Sequence, residues 1–358
     1  MANVFNATTT TGLQLTPDNS GAIQLQTNNG TTAMTISTAQ AVTTTNAINM
    51  GSSFIRNRII NGAMQIVQRG TSFTSPATGS YTLDRWISLS SGTAPATVAQ
   101  VAGPTGYQYA LQLTGAASNT SAGIAQRIES YNIADLASTT VTLSATILAS
   151  TNQTVLWAAY YPSATDNYTS STQITTGTFS VTTSAQVFNA QIALPSNVVN
   201  GLEIRFYANN NSAFTSGTLT ITGVQLETGS IATPFERRLY GPELSMCQRY
   251  FETSYNLGTA PGTATATGTG VGYVSGPTGF NAGGIYFQFK VPKRTTPTMV
   301  SYSSASGASG YIRDVVNNVD VSASWAPTGA SGAFVQGLMS ASSNYVNFQG
   351  QYTASAEL

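Results

Sequence analysis

Apolar side chains in this chain recur at alternate positions. Val141, Leu143, Ala145 and Ile147 do so in TVTLSATIL, and Leu202, Ile204 and Phe206 do so in LEIRFY. Successive side chains of a strand point to opposite faces, so a period of two means a strand with one face buried and the other open. The stretch TLTITGVQLE keeps the period through Leu219 and Ile221, loses phase at Gly223 and resumes at Val224 and Leu226, the pattern of a β-bulge. A later run, GGIYFQFKVPKRTTPT, puts Ile285, Phe287, Phe289 and Val291 on one side. Pro292 and Pro297 bound it, because proline cannot donate to a ladder. Such strands, separated by Thr, Asn and Gly clusters, predict an all-β protein built from antiparallel β-sandwiches.

Charge is scarce. Only 7% of the 358 residues are charged, 13 basic against 13 acidic, where an ordinary soluble domain has about 25%. A chain with no net charge offers no electrostatic footprint for a phosphate backbone or an anionic bilayer, so the expectation is no nucleic acid and no membrane partner. No basic-then-apolar leader and no apolar run of about 18 residues occurs, which argues against export by a signal peptide and against membrane insertion. Disorder is disfavoured too, since 41% of the residues are apolar. Cys247 is the single cysteine. It allows no internal disulfide and reads as a small buried apolar residue.

Histidine is absent, which removes Ser-His-Asp and Cys-His catalysis and His-containing zinc sites. Neither a Walker loop nor a dinucleotide fingerprint is present. Glycan hydrolysis needs only two carboxylates, about 5 to 9.5 Å apart. Most acids here, however, have a basic neighbour: Asp84 adjoins Arg85, Glu203 shares a strand face with Arg205, Asp314 adjoins Arg313, and Glu236 adjoins Arg237. Structural ion pairs are the better reading. No catalytic residue, metal site or cofactor is expected.

Along the chain, residues 1–55 carry short apolar pairs two apart: Leu13 and Leu15, Ile23 and Leu25, Met34 and Ile36. Each is too brief to close a core alone, which implies that other chains supply the missing partners; a flexible Thr/Asn-rich linker is the alternative. At RNRIINGAMQIVQRGTSFT the pattern changes, and residues 56–236 form a first sandwich. GPELSMCQRYFE, Gly241 to Glu252, has the look of a helix, with Pro242 in its first turn and Leu244, Cys247 and Phe251 at i, i+3 and i+7. Residues 237–254 are therefore a linker helix, and 255–358 a second sandwich. Six of the chain's 26 charges fall between Glu236 and Glu252, suiting either a register-setting junction or an exposed linker.

Aromatic residues are the candidate contact groups. VLWAAYYPSATDNY gathers Trp157, Tyr160, Tyr161 and Tyr168, across a strand expected to run into an exposed loop marked by its Ser, Asp and Asn. Tyrosine combines an apolar face with a polar tip, which suits stacking on sugar rings as well as lining a core edge. Tyr107, Tyr160, Tyr161, Tyr168, Trp325 and Tyr345 are the candidates for glycan contact, with packing or an interface as the other reading. Trp157 is left to the core.

The ordered succession NRIINGAMQIVQRGTSFT, YTLDRWISL, VQLETGSIATPFERRLYGPELSMCQRYFETSY and the ending QYTASAEL resembles tail-fibre and receptor-binding proteins of tailed bacteriophages, including those of aquatic and cyanobacterial viruses. FKVPKRTTPT and GYIRDVV look like a C-terminal module that accompanies it. The resemblance implies a homotrimer of jelly-roll-like β modules behind an intertwined N-terminal strand segment. It implies a virion location, as a short tail fibre that attaches to other tail or baseplate proteins by its N-terminus and binds host surface polysaccharide with its β modules. A capsid or head decoration fibre, or a tailspike-like glycanase, are the alternatives. In the trimer, Leu244, Cys247 and Phe251 would bury apolar surface between chains near the three-fold axis.

Overall fold

The computed structural model describes residues 23–27, 31–36, 42–44, 55–275, 283–337 and 345–358. The chain divides between Ser53 and Phe54 into two compact units. The expected boundaries at 236/237 and 254/255 both fall inside the larger one. Leu13 and Leu15 lie outside the described residues.

In the smaller unit, Ile23–Thr27, Thr31–Ile36 and Val42–Thr44 form an antiparallel meander. Ile23 stands opposite Ile36, Leu25 opposite Met34, and Ile36 opposite Val42. These strands therefore find hydrogen-bonding partners within their own chain, where partners from other chains were expected.

The larger unit is all-β apart from one α-helix and four short 3-10 turns among its described residues. Its first part is a sandwich. A five-stranded sheet runs in the order Asn167–Val181, Gln153–Ala164, Leu202–Tyr207, Gly123–Ile128, Ile87–Ser88, and a six-stranded sheet runs Gln186–Ala193, Thr140–Ala149, Thr218–Thr228, Tyr109–Thr114, Thr97–Ala102, Ser72–Phe73. The alternating residues named from sequence meet between them: Val141, Leu143, Ala145 and Ile147 from one sheet, Leu202, Ile204 and Phe206 from the other. The phase slip in TLTITGVQLE is a bulge, where the register against Thr140–Ala149 shifts and Gly223 takes a φ of 58°. A Cβ there would come within 2.3 Å of the Tyr107 hydroxyl, so glycine is required for backbone conformation and for space.

The second part is one eight-stranded antiparallel sheet centred on Tyr345–Ser355. That long strand pairs along one edge with Phe251–Thr253 and then Gly270–Ser275, and along the other with Thr298–Ser303 and then Tyr311–Asp314. The sheet continues through Val319–Thr328, Gly332–Gly337 and Gly283–Gln288. It folds over its own core, for Phe287 on the last of these strands lies 4.6 Å, ring to ring, from Tyr352 on the central one.

The helix spans Tyr240–Gln248, shorter than the sequence pattern suggests. Residues Phe251–Thr253 are a strand, because their backbone groups are taken up by Thr353–Ser355. This separates Phe251 from the helical face it was assigned to. Cys247 has no exposure and Phe251 has 6%; the ring of Phe251 lies under the Arg69 guanidinium at 3.6 Å. Both residues, expected to bury surface between chains, are covered within one chain, and Leu244 is half-buried. The nearby charges are also spent internally. Glu243 accepts from the Asn61 amide and pairs with Arg238, Arg249 and the Tyr250 hydroxyl both donate to Glu129, and Lys293 meets Glu252 at 2.8 Å with neither side chain exposed. The C-terminal end of the chain joins this junction, with Glu357 pairing with Arg69 and Arg85 of the first sandwich.

Candidate functional site

LEIRFY builds the site through its alternation. Leu202, Ile204 and Phe206 point into the sandwich with no exposure, so Glu203, Arg205 and Tyr207 emerge on the outer face of the five-stranded sheet. Register then decides their neighbours. Arg127 stands opposite Glu203 on one side, while Tyr160, Ala158 and Leu156 stand opposite Glu203, Arg205 and Tyr207 on the other.

Glu203 is 1% exposed and held from both sides. Arg127 Nε lies 3.1 Å from Oε2, and Arg205 Nε lies 2.5 Å from Oε1. The Arg205 guanidinium stacks 3.9 Å above the Tyr160 ring, a cation–π contact that fixes its plane. The Tyr160 hydroxyl donates in turn to Gln173 Oε1 at 2.8 Å. Burial lowers the pKa of Arg205, but Glu203 and the Tyr207 hydroxyl together hold it above its ordinary value. Burial raises that of Tyr207, against the pull of Arg205.

Arg127, Glu203, Arg205 and Tyr207 floor an open groove of about 530 Å³, walled by Thr78, Gly79, Leu89, Ser91, Ser121 and Asn211, and Tyr160 supports Arg205 from beside it. The walls are held by local hydrogen bonds. Ser121 Oγ meets Asn211 Oδ1 at 2.6 Å, and Asn119 Nδ2 donates to the Ser91 carbonyl. Asn209, Asn210 and Asn211 take left-handed φ values of 47°, 52° and 58°, which asparagine tolerates better than most residues. This turns the chain sharply at the end of the Leu202–Tyr207 strand and sets Asn211 at the rim. The groove thus combines Tyr207, two guanidinium groups and hydroxyl and amide walls, a lining that can donate and accept hydrogen bonds with a hydroxyl-rich ligand. Among the described residues lining it, Glu203 is the one carboxylate.

The six aromatic candidates separate. Tyr160 belongs to this face. Tyr161 packs against the sandwich core, on the inward phase that Val155, Trp157 and Ala159 set along the same strand. Tyr168 is 9% exposed, with its hydroxyl 2.8 Å from the Ile128 carbonyl, and burial raises its pKa. It anchors strands from a hairpin, where a rim loop was expected. Tyr107 lies edge-on to Phe235 at 5.6 Å across the Gly223 bulge. Trp325 packs against the second core beside Phe287. Tyr345 is exposed and stacks on Tyr273 at 6.4 Å, in the C-terminal sheet. Sequence reasoning missed Arg127, Arg205 and Tyr207 as site residues. The signal available was the polar phase of LEIRFY, read there as an ion pair alone.

No family model matches the sequence, and no curated protein matches it. Solved structures with partial likeness include the enzymatically active domain of tailspike protein 4 from bacteriophage CBA120, at 17% identity and a TM-score of 0.32 over 44% of this chain and 21% of that one. A putative sugar binding protein from Bacteroides thetaiotaomicron is similar at 13% identity and a TM-score of 0.34, over 48% of this chain and 100% of that one. The module TmCBM61, solved with β-1,4-galactotriose, is similar at 13% identity and a TM-score of 0.31, over 49% of this chain and 99% of that one. The chain thus spans about a fifth of the tailspike domain's length and nearly all of the two smaller proteins.

Proposed function

We propose that this chain is a glycan-binding adhesin that holds saccharide in the groove on the five-stranded sheet. One observation carries the reading: Arg205, pinned between Glu203 and the Tyr160 ring, sits on the floor of an open groove whose walls are hydroxyls and amides. The Tyr207 ring beside fixed hydrogen-bond donors suits a pyranose, which offers apolar C–H faces and equatorial hydroxyls. Hydrolysis would need a second carboxylate near Glu203, and both oxygens of Glu203 are taken by arginines, so binding without cleavage is the better-supported activity.

The setting we propose is a tailed-phage virion. The protein would be a short tail fibre, held to other tail or baseplate proteins by its N-terminal unit and presenting its β units to host surface polysaccharide. The sequence resemblance supports this. The fibre would be a homotrimer, in which three weak sites act together through avidity. Leu239, Tyr240 and Ile55, exposed by 79%, 48% and 69%, leave apolar surface for subunit contact where Cys247 and Phe251 do not. Sedimentation of the full chain tests the assembly and should give three times 37.2 kDa. An oligosaccharide array probed with the parent and with Tyr160→Ala tests the site. The parent should bind and the variant should bind several-fold more weakly; equal binding by the two would place the contact elsewhere.

A further inference from the structure

We infer that the groove selects saccharides bearing a carboxylate, such as uronic or sialic acids, over neutral ones. The inference rests on the reading of this groove as the glycan-binding surface.

The charges facing the groove are asymmetric in accessibility. Its one lining carboxylate, Glu203, is 1% exposed beneath the two arginines, whose side chains are 22% and 21% exposed. An incoming ligand therefore meets cationic edges, while the anion that holds them is out of reach. Arg127 is already divided, with Nε on Glu203 and a terminal nitrogen 2.5 Å from the Leu358 main-chain oxygen. Arg205 is less committed. Of the five N–H donors of a guanidinium, it gives Nε to Glu203 and one bond to the Tyr207 hydroxyl.

Geometry favours a carboxylate over an isolated hydroxyl as the matching group. The Tyr160 ring holds the guanidinium plane at 3.9 Å, and a planar fork held in one orientation recognises a planar, two-oxygen acceptor in bidentate fashion. The remaining lining is Thr, Ser, Asn, Gly, Leu and Tyr, so no second acidic side chain there repels an anion. The register leaves room: Ala158 and Ala125 are the residues opposite Arg205 on its two neighbouring strands, so neither sets a large side chain directly across from it.

The test is calorimetric titration of the full chain with oligogalacturonate, oligoalginate and oligosialic acid, and with the same oligogalacturonate reduced at its carboxyls to a neutral galactoside. At least one acidic oligosaccharide should bind, and its neutral counterpart at least about tenfold more weakly, the worth of one charge-assisted hydrogen bond. Arg205→Gln should lose the preference, so that acidic and neutral ligands bind the variant alike. The comparison of acidic and neutral ligands on the parent protein needs no variant to fold. Neutral galactosides binding as tightly as acidic ones would overturn the selectivity and leave the glycan site standing. Binding of neither kind would overturn both.

Discussion

The two β regions of the larger unit share a Thr-, Ser- and Gly-rich composition but hold themselves together differently. Among the described residues, 35 buried apolar residues form the core of the first sandwich and 10 that of the C-terminal sheet. A small core contributes little stability by itself. The C-terminal sheet makes up the difference at its seam with the sandwich. It takes Phe251–Thr253, which follows directly from the docked helix, as an edge partner, shares the buried Lys293–Glu252 pair, and is tied back by Glu357. The seam meets the groove at Arg127, which donates to the Leu358 main-chain oxygen, while Arg205 and Tyr207 remain in the groove lining. A self-sufficient core can carry an open polar groove; a dependent one uses its charges for attachment.

Lys293→Ala should break this contrast most severely. It leaves Glu252 buried without its cation, which costs about 3 to 5 kcal/mol when one partner of a buried pair is removed. Denaturant unfolding should then show the C-terminal region melting first. Trp325 lies there, while Trp86 and Trp157 lie in the sandwich core, so comparing fluorescence of the variant with and without Trp325→Phe separates the two transitions. A single unshifted transition would mean that the C-terminal sheet does not depend on the seam.

Glu357→Gln should cost less, about 2 to 3 kcal/mol, by leaving the buried Arg85 and Arg69 guanidiniums partly unpaired. Thermal unfolding would read it as a lowered midpoint; no change would mean that the stacking of Arg85 on Tyr250 and of Arg69 on Phe251 suffices.

Alkaline pH probes the same seam. Burial pushes the Tyr250 hydroxyl up to about 12, with the neighbouring Arg85 opposing and Glu129 reinforcing the shift. The ordinary value is 10, so between 10 and 12 the native state retains a proton that the unfolded chain has lost. The stabilisation is complete below pH 10 and is lost as pH rises through 12, roughly 2 to 3 kcal/mol in all. Tyr250→Phe should flatten that part of the stability profile in equilibrium unfolding. An equally steep loss in the variant would assign it to other buried tyrosines.

The smallest stability effect belongs to the groove. Tyr160→Ala removes a half-buried surface ring and should change stability by about 0.5 kcal/mol or less, while weakening saccharide binding by about 1 kcal/mol per site. A large drop in melting temperature would instead make Tyr160 a structural residue like Tyr161.

What the sequence disclosed followed from period. Alternation in TVTLSATIL, LEIRFY and GGIYFQF announced the strands and their buried faces, and the lost phase at Gly223 announced a bulge. Partnership was not legible. LEIRFY shows that Glu203 and Arg205 share a face, but only the antiparallel register brings Arg127 and Tyr160 beside them, from positions 76 and 43 residues before Glu203 in sequence. The helix was overextended for the same reason: Arg249, Tyr250 and Phe251 continue a helical spacing locally, and a strand a hundred residues later claims Phe251. Aromatic clustering misled at Tyr161 and Tyr168, because ring density in sequence says nothing of which rings the pleat turns inward.

Hydrogen exchange of the full chain, free and with the tightest-binding oligosaccharide, tests the placement of function in the sandwich most directly. Protection should appear on Gly123–Ile128, Gln153–Ala164 and Leu202–Tyr207 and on the rim around Asn211, with the C-terminal sheet unchanged. Protection on Gly270–Ser275 and Tyr345–Ser355, around the exposed Tyr273 and Tyr345, with none on the groove strands, would contradict it.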